Sequence, residues 1–168
     1  CSSGYGLIKL DATIKPYSAT FSSRHPDTIC KWSDADSRDR IRSMWWDLQS
    51  GWSGPDPSQP RSITNVAASE PEIPLLVAAS RDYLGAIVKD VRAAVQVLSD
   101  PDLLCVISSG SNRLPGLENN LLPANASLRK SVGGSLRTLN IRLARVILAE
   151  SPTEGLRASC LIADYLDR

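Results

Sequence analysis

Apolar and polar residues alternate near the start of the chain. Every second residue of this stretch is apolar: Ile8, Leu10, Ala12 and Ile14. A period of two residues places successive side chains on opposite faces, as in a strand with one buried face. A second alternation follows Pro16, a residue that sheets tolerate at an edge strand. The pattern therefore predicts an extended β-arm or hairpin over residues 5–22.

Further along, the apolar spacing lengthens to the three- and four-residue intervals of a helix. Ser33 stands where a helix cap is needed, and Gly51 marks the end of this first helix. Ser69 and Glu72 have the spacing of a capping box. A strongly amphipathic pattern continues from there, so we predict a second, long helix over residues 70–98.

The C-terminal half of the chain predicts three more helices. The first is brief and covers residues 103–107. The second follows an apolar stripe over residues 126–150, although Gly133 and Gly134 each weaken it by about 1 kcal/mol relative to alanine. The last begins at Ser151, where Ser-Pro-Thr-Glu forms another capping box.

Together these elements predict a mainly α fold in one domain of 168 residues. Residues 33–168 are expected to form an antiparallel bundle of about four helices, and residues 1–32 an extended β-arm and loop. The segments 51–68 and 110–124 lack periodicity and contain many Gly, Pro and Asn residues, so they are expected to be long connecting loops. With 42% hydrophobic residues, a chain of this length can bury a substantial core.

Charge is balanced over the whole chain but not along it. Lys and Arg number 19 against 18 acidic residues, which argues against a surface that is basic throughout. The predicted helix over residues 126–150, however, has a single acid, Glu150, and five cations. These cations are Arg129, Lys130, Arg137, Arg142 and Arg145. Because guanidinium groups bind phosphate well, the pattern is compatible with two interpretations, a face that binds single-stranded nucleic acid and a solvated face neutralised by other helices.

Apolar residues in exposed settings suggest contacts with other subunits. Ile141 and Leu148 are seven residues apart and lie near the basic side of the predicted helix. A two-stranded arm is only marginally stable in water, so the arm would be stabilised by pairing with another copy of the chain. The predicted subunit contacts are therefore Ile8, Leu10, Ile14, Ile141 and Leu148, and self-association is expected.

Few residues are suited to catalysis. The chain has one histidine, His25, and no Gly-x-Ser-x-Gly elbow, so a hydrolase is not expected. The local acids Asp34, Asp36 and Asp39 alternate with arginines and suit a helix N-terminus better than a cation site. We therefore predict a protein that is not an enzyme and has no cofactor or metal. No apolar run approaches the roughly 18 to 20 residues of a membrane span, so no membrane partner is expected.

The cysteines leave two interpretations open. Cys1, Cys30, Cys105 and Cys160 are far apart and form no C-x-x-C pair, which argues against a zinc or iron–sulfur site. Cys105 and Cys160 lie in apolar surroundings and are predicted to be buried thiols, which favours an intracellular or particle-associated protein. Two disulfides in a secreted protein are the alternative.

These observations predict a non-enzymatic assembly or coat-type protein that binds nucleic acid through a basic helix. A secreted four-helix signalling protein is the alternative, supported by the glycosylation triplet at Asn125. His25-Pro26-Asp27 also resembles the tripeptide with which J-domain co-chaperones stimulate the ATPase of their partner, which adds a degenerate J-domain-like protein as a minor alternative. A J-domain needs a basic amphipathic helix before this tripeptide, whereas residues 8–21 alternate like a strand.

Overall fold

The structure is a computed structural model that describes residues 1–31, 33–109, 113–151 and 156–166. Within these residues the chain is mixed α/β and contains a three-stranded parallel sheet. The prediction of a mainly α, antiparallel four-helix bundle is therefore wrong.

The chain divides into two compact units. The first unit consists of residues 1–69 and 82–94, and the second contains the remaining residues. Helix α1 (Ala35–Ser50), helix α2 (Ile63–Ser69) and the middle of helix α3 (Arg81–Val97) belong to the first unit.

Helix α1 confirms the first predicted helix, with a different cap. The Asp34 carboxylate accepts the Ser37 backbone N–H at 2.8 Å, and Gly51 ends the helix as expected. The prediction that Ser33 caps the helix is wrong, because the stronger acceptor stands one residue later.

The predicted β-arm is wrong. The segment forms no strand. Its β pairing is limited to two isolated bridges, Ser2 with Gly6 and Thr20 with Thr28. Hydrogen bonds that involve side chains hold it instead; for example, the Ser2 hydroxyl oxygen accepts the Tyr5 backbone N–H at 3.1 Å. Alternation failed as a signal here because the apolar positions share no buried face: Leu10 is fully exposed.

Buried charge and close packing join α1 to α3 within the first unit. The Arg42 side chain is 6% exposed and donates to Asp39 at 2.7 Å and to Asp82 at 2.8 Å. Its Nε also donates to the Phe21 carbonyl at 3.0 Å. At Gly85 a Cβ atom would lie only 2.8 Å from Asp39 Oδ1, so α3 needs glycine at this point.

The second unit is built on the parallel sheet. Its strands are β1 (Leu75–Ser80), β2 (Leu104–Ser109) and β3 (Leu121–Pro123), and they lie side by side in that order. Leu75 pairs with Leu104, and Val106 pairs with Leu121. The first five residues of β2 are buried, as expected for a central strand covered on both faces.

Three predicted elements are corrected by this sheet. Within the predicted helix over 70–98, residues 75–80 form strand β1, and the chain becomes helical only at Arg81. The predicted short helix over 103–107 is strand β2, and the predicted loop over 110–124 contains β3. The two helix errors have the same cause, since a short continuous apolar run fits a buried strand as well as a buried helix. Strand β3 has only three residues, too few to show a period within the predicted loop.

Helices α5 (Leu139–Glu150) and α6 (Ala158–Leu166) pack against the sheet. Their buried residues share one core cluster with the strands, including Ile107, Leu122 and Leu143. Two acids anchor the start of α6: Asp100 accepts from Arg157 at 2.5 Å, and Asp102 accepts from the Ser159 N–H at 2.8 Å. The capping box of this helix was predicted over residues 151–154. Ser151 instead ends α5, and residues 152–154 lie outside the described residues.

Candidate functional site

The candidate site is the surface formed by α4 (Arg129–Val132), the turn after it and α5. A turn at Asn125 leads into it, since the Asn125 side-chain oxygen accepts the Ser127 backbone N–H at 2.9 Å. Such a turn replaces the first helical hydrogen bonds, so α4 starts later than expected.

The predicted continuous helix over residues 126–150 is wrong, because it breaks at two glycines. Gly133 and Gly134 have φ angles of +69° and +78°, in the left-handed region that favours glycine. A one-turn 3₁₀ segment, Leu136–Thr138, then leads into α5. The cations therefore lie on two helices and a turn instead of on one helical stripe.

The break brings two arginines to the same glycine. Arg129 Nε donates to the Gly134 carbonyl at 2.9 Å. A Cβ atom on Gly134 would lie 2.6 Å from Arg142 Cζ, so the second guanidinium occupies the space that a side chain there would need. Arg142 Nε is further positioned by the Thr138 hydroxyl at 3.3 Å. The glycine turn thus holds two guanidinium groups near each other on the surface.

All five predicted nucleic-acid-binding residues are exposed: Arg129, Lys130, Arg137, Arg142 and Arg145. We call these five residues the basic surface. In the part of the chain that the structure describes, none of them forms an ion pair with an acidic side chain. Their positive charge therefore faces solvent without a neutralising partner among those residues.

Apolar side chains lie beside these cations on α5. Ile141 is 62% exposed and Leu148 is 60% exposed, while Arg145 lies between them in sequence. Residues three, four and seven apart share a helix face, so the three side chains form one exposed face. The other predicted subunit contacts differ: Leu10 and Ile14 are exposed and Ile8 is half-buried, but all three lie in irregular chain.

The single histidine and the two buried cysteines are poorly placed for nucleophilic catalysis. His25 lies in an exposed turn, where its Nδ1 accepts the Asp27 backbone N–H at 3.2 Å. Burial raises the pKa of the Cys105 thiol to about 12 and also raises the pKa of Cys30. A thiol with a raised pKa stays protonated at neutral pH and is a poor nucleophile.

All four cysteines are free thiols in the structure, but they differ in exposure. Cys105 is buried as predicted, whereas the prediction that Cys160 is buried is wrong. Ala158, Leu161 and Tyr165 are three and four residues apart and form the buried face of α6. Cys160 lies outside this face.

We expect a thiol reagent to react in two stages. Near neutral pH, the exposed Cys1 and Cys160 should react within minutes, while Cys30 and Cys105 should be protected by burial and by their raised pKa values. Unfolding without a reductant should then expose about four reactive groups. A count near zero in the unfolded, unreduced protein would contradict the thiol prediction and favour the secreted alternative.

Among the described residues, no group of three or more His, Cys, Asp or Glu residues is placed to hold a metal ion. No helix within those residues is long and apolar enough to cross a membrane.

The chain was compared with models of protein families, with curated proteins and with solved structures. None of the three comparisons gave a match.

Proposed function

We propose that the protein is a non-enzymatic binding protein whose basic surface contacts the phosphate backbone of a single-stranded nucleic acid. The observation that supports this proposal is the exposure of all five cations without an acidic partner in the described chain. Phosphate groups would supply the missing negative charge.

The composition of the surface favours phosphate over other anions. Four of its five cations are arginines, whose planar guanidinium groups bind phosphate oxygens in pairs. Arg129 and Arg142 are held at Gly134, so less side-chain freedom is lost when they bind. Contacts of this kind are independent of base sequence, and each should make binding more sensitive to salt.

The test is a charge-removing triple variant, Lys130→Gln, Arg137→Gln and Arg145→Gln. Each lost phosphate contact lowers the log–log salt slope by roughly 0.7 to 0.9, so the slope should fall by about two to three units. Affinity for a single-stranded RNA or DNA oligonucleotide should fall markedly at low salt. Fluorescence anisotropy over a range of salt concentrations measures both the affinity and the salt slope. Glutamine keeps helix propensity, so the melting temperature should remain close to that of the unchanged chain.

A matched control removes the same charge elsewhere. Lys15, Arg24 and Lys89 are exposed and lie in the first unit, so replacing all three by Gln should leave the salt slope nearly unchanged. An equal loss of slope in both triple variants would show that net charge, and not the basic surface, determines binding. No salt-sensitive binding by the unchanged chain would overturn the proposal.

Self-association is a second candidate function, and the exposed α5 face favours it. Ile141 and Leu148 are each about three-fifths exposed on one helix face, an arrangement more typical of contact surfaces than of solvated helices. A second copy of the chain that covered this face would bury both side chains. Leu148→Ala tests this candidate through the molar mass in solution.

A further inference from the structure

A buried arginine in the first unit has an unusual environment. Arg61 is 7% exposed, yet it forms no ion pair with any of the described residues. Its partners are four backbone carbonyls, those of Tyr5, Leu7, Gln49 and Trp52. The guanidinium also lies 5.5 Å from the centre of the Trp52 ring.

These carbonyls accept hydrogen bonds from the Arg61 guanidinium but do not neutralise its positive charge. A guanidinium has five N–H donors, and the four carbonyls accept from Nε, from both hydrogens of Nη2 and from one hydrogen of Nη1. The second Nη1 hydrogen has no acceptor among the described residues. Burial lowers the pKa of Arg61, which reflects the cost of an uncompensated charge away from water.

Arg61 also lines an open cleft of about 320 Å³, a volume at the small end of ligand-binding sites. The cleft lies between residues 8–13 and the loop 55–61. Its charged and polar lining consists of Lys9, Asp11, Thr13, Asp56, Gln59 and Arg61. We call this feature the Arg61 cleft.

The lining carries charges of both signs. Lys9 adds a second cation to Arg61, while Asp11 and Asp56 add two carboxylates. Hydrogen bonds from the Ser58 hydroxyl and backbone N–H lower the pKa of Asp56, so this carboxylate is ionised at neutral pH. A polyanion would be repelled by the two acids, whereas a small ligand with one anionic and one N–H-donating group would match both kinds of charge.

We propose that the Arg61 cleft binds a small molecule that carries a carboxylate or phosphate group together with a positively charged or N–H-donating group. The anionic group accepts the remaining Nη1 hydrogen of Arg61 and lies near the Lys9 ammonium. The donating group is directed to Asp11 and Asp56. This inference does not depend on the proposed nucleic-acid binding, because every residue involved belongs to the first unit.

The test uses two exposed residues, so that the fold is preserved while the charge of the cleft changes in opposite directions. Inorganic phosphate is titrated at constant ionic strength, and the amide signals of residues 7–13 and 56–61 are followed by NMR. A saturable shift is expected for the unchanged chain. Lys9→Gln should weaken phosphate binding about three- to tenfold, and Asp56→Asn should strengthen it by a similar factor. Lys89→Gln, on exposed α3 surface, should change nothing.

A merely structural role for Arg61 would produce a different result. In that case the shifts would be absent, or chloride at the same ionic strength would reproduce them, and either outcome overturns the proposal. Equal effects of Lys9→Gln and Asp56→Asn would also overturn it.

The donating group is tested with a matched pair of probes, propionate and β-alanine, which share a carboxylate and differ by one ammonium group. β-Alanine should bind more tightly to the unchanged chain, and Asp56→Asn should reduce that preference. Binding of propionate equal to or tighter than that of β-alanine would overturn this part of the proposal.

Discussion

Replacing Asp90 with alanine should lower the free energy of unfolding by about 3 to 5 kcal/mol. The carboxylate accepts hydrogen bonds from Trp46 Nε1 at 2.9 Å and from the Ile63 backbone N–H at 2.8 Å. It also accepts from the backbone N–H of Thr64 at 3.0 Å and from its hydroxyl at 2.7 Å. Trp46 and Ile63 are almost fully buried, so water cannot replace the lost acceptor easily. Urea unfolding measures the change.

Two further variants separate the role of the Asp90 charge from general damage to the fold. Asp90→Asn keeps one acceptor oxygen, so it should cost less than Asp90→Ala. Asp47→Asn changes an exposed acid on α1 and should alter stability by less than about 0.5 kcal/mol. A loss below about 1 kcal/mol for Asp90→Ala would show that the four donors find other partners.

The helix predictions succeeded where local signals agreed with each other. In α1 an apolar period of three to four residues ends at Gly51, and these signals depend only on neighbouring residues, although the cap is Asp34 and not the predicted Ser33. The same reasoning failed at β1, because its six residues, Leu-Leu-Val-Ala-Ala-Ser, precede a helical pattern without a break. The segment forms a strand because it pairs with β2. The paired residues Leu75 and Leu104 are 29 positions apart in sequence.

The sequence pattern did not indicate which polar residues are buried. Arg42 and Arg61 look like ordinary surface arginines in a local pattern, yet both are less than a tenth exposed. Their partners are distant in sequence, as with Asp82 for Arg42 and the Tyr5 carbonyl for Arg61. No local period predicts such contacts, so the Arg61 cleft could be found only from the structure.

The basic surface was predicted in composition but not in shape. Its five cations are exposed, as a polar helix face requires, but Gly133 and Gly134 interrupt the helix on which they were placed. A propensity cost of about 1 kcal/mol per glycine describes a weakened helix, not a break. The break requires positive φ at both residues, which two adjacent glycines adopt without strain.

Helix α5 offers a direct comparison of its buried and exposed faces. Leu143→Ala should lower the free energy of unfolding by about 3 kcal/mol, because Leu143 is fully buried in the core cluster of the second unit. Removing its side chain loses apolar burial and leaves a cavity against the sheet. Urea unfolding followed by circular dichroism measures this change.

Leu148→Ala removes the same atoms from the opposite face of the same helix. Leu148 is 60% exposed, so its loss should change stability by less than about 0.5 kcal/mol. If the α5 face is a contact between copies of the chain, the variant should still lower the molar mass measured by light scattering, since the side chain is then buried only in the assembly. A large loss of stability in the monomeric variant would contradict the exposed position of Leu148, and an unchanged molar mass would remove the support for self-association through this face.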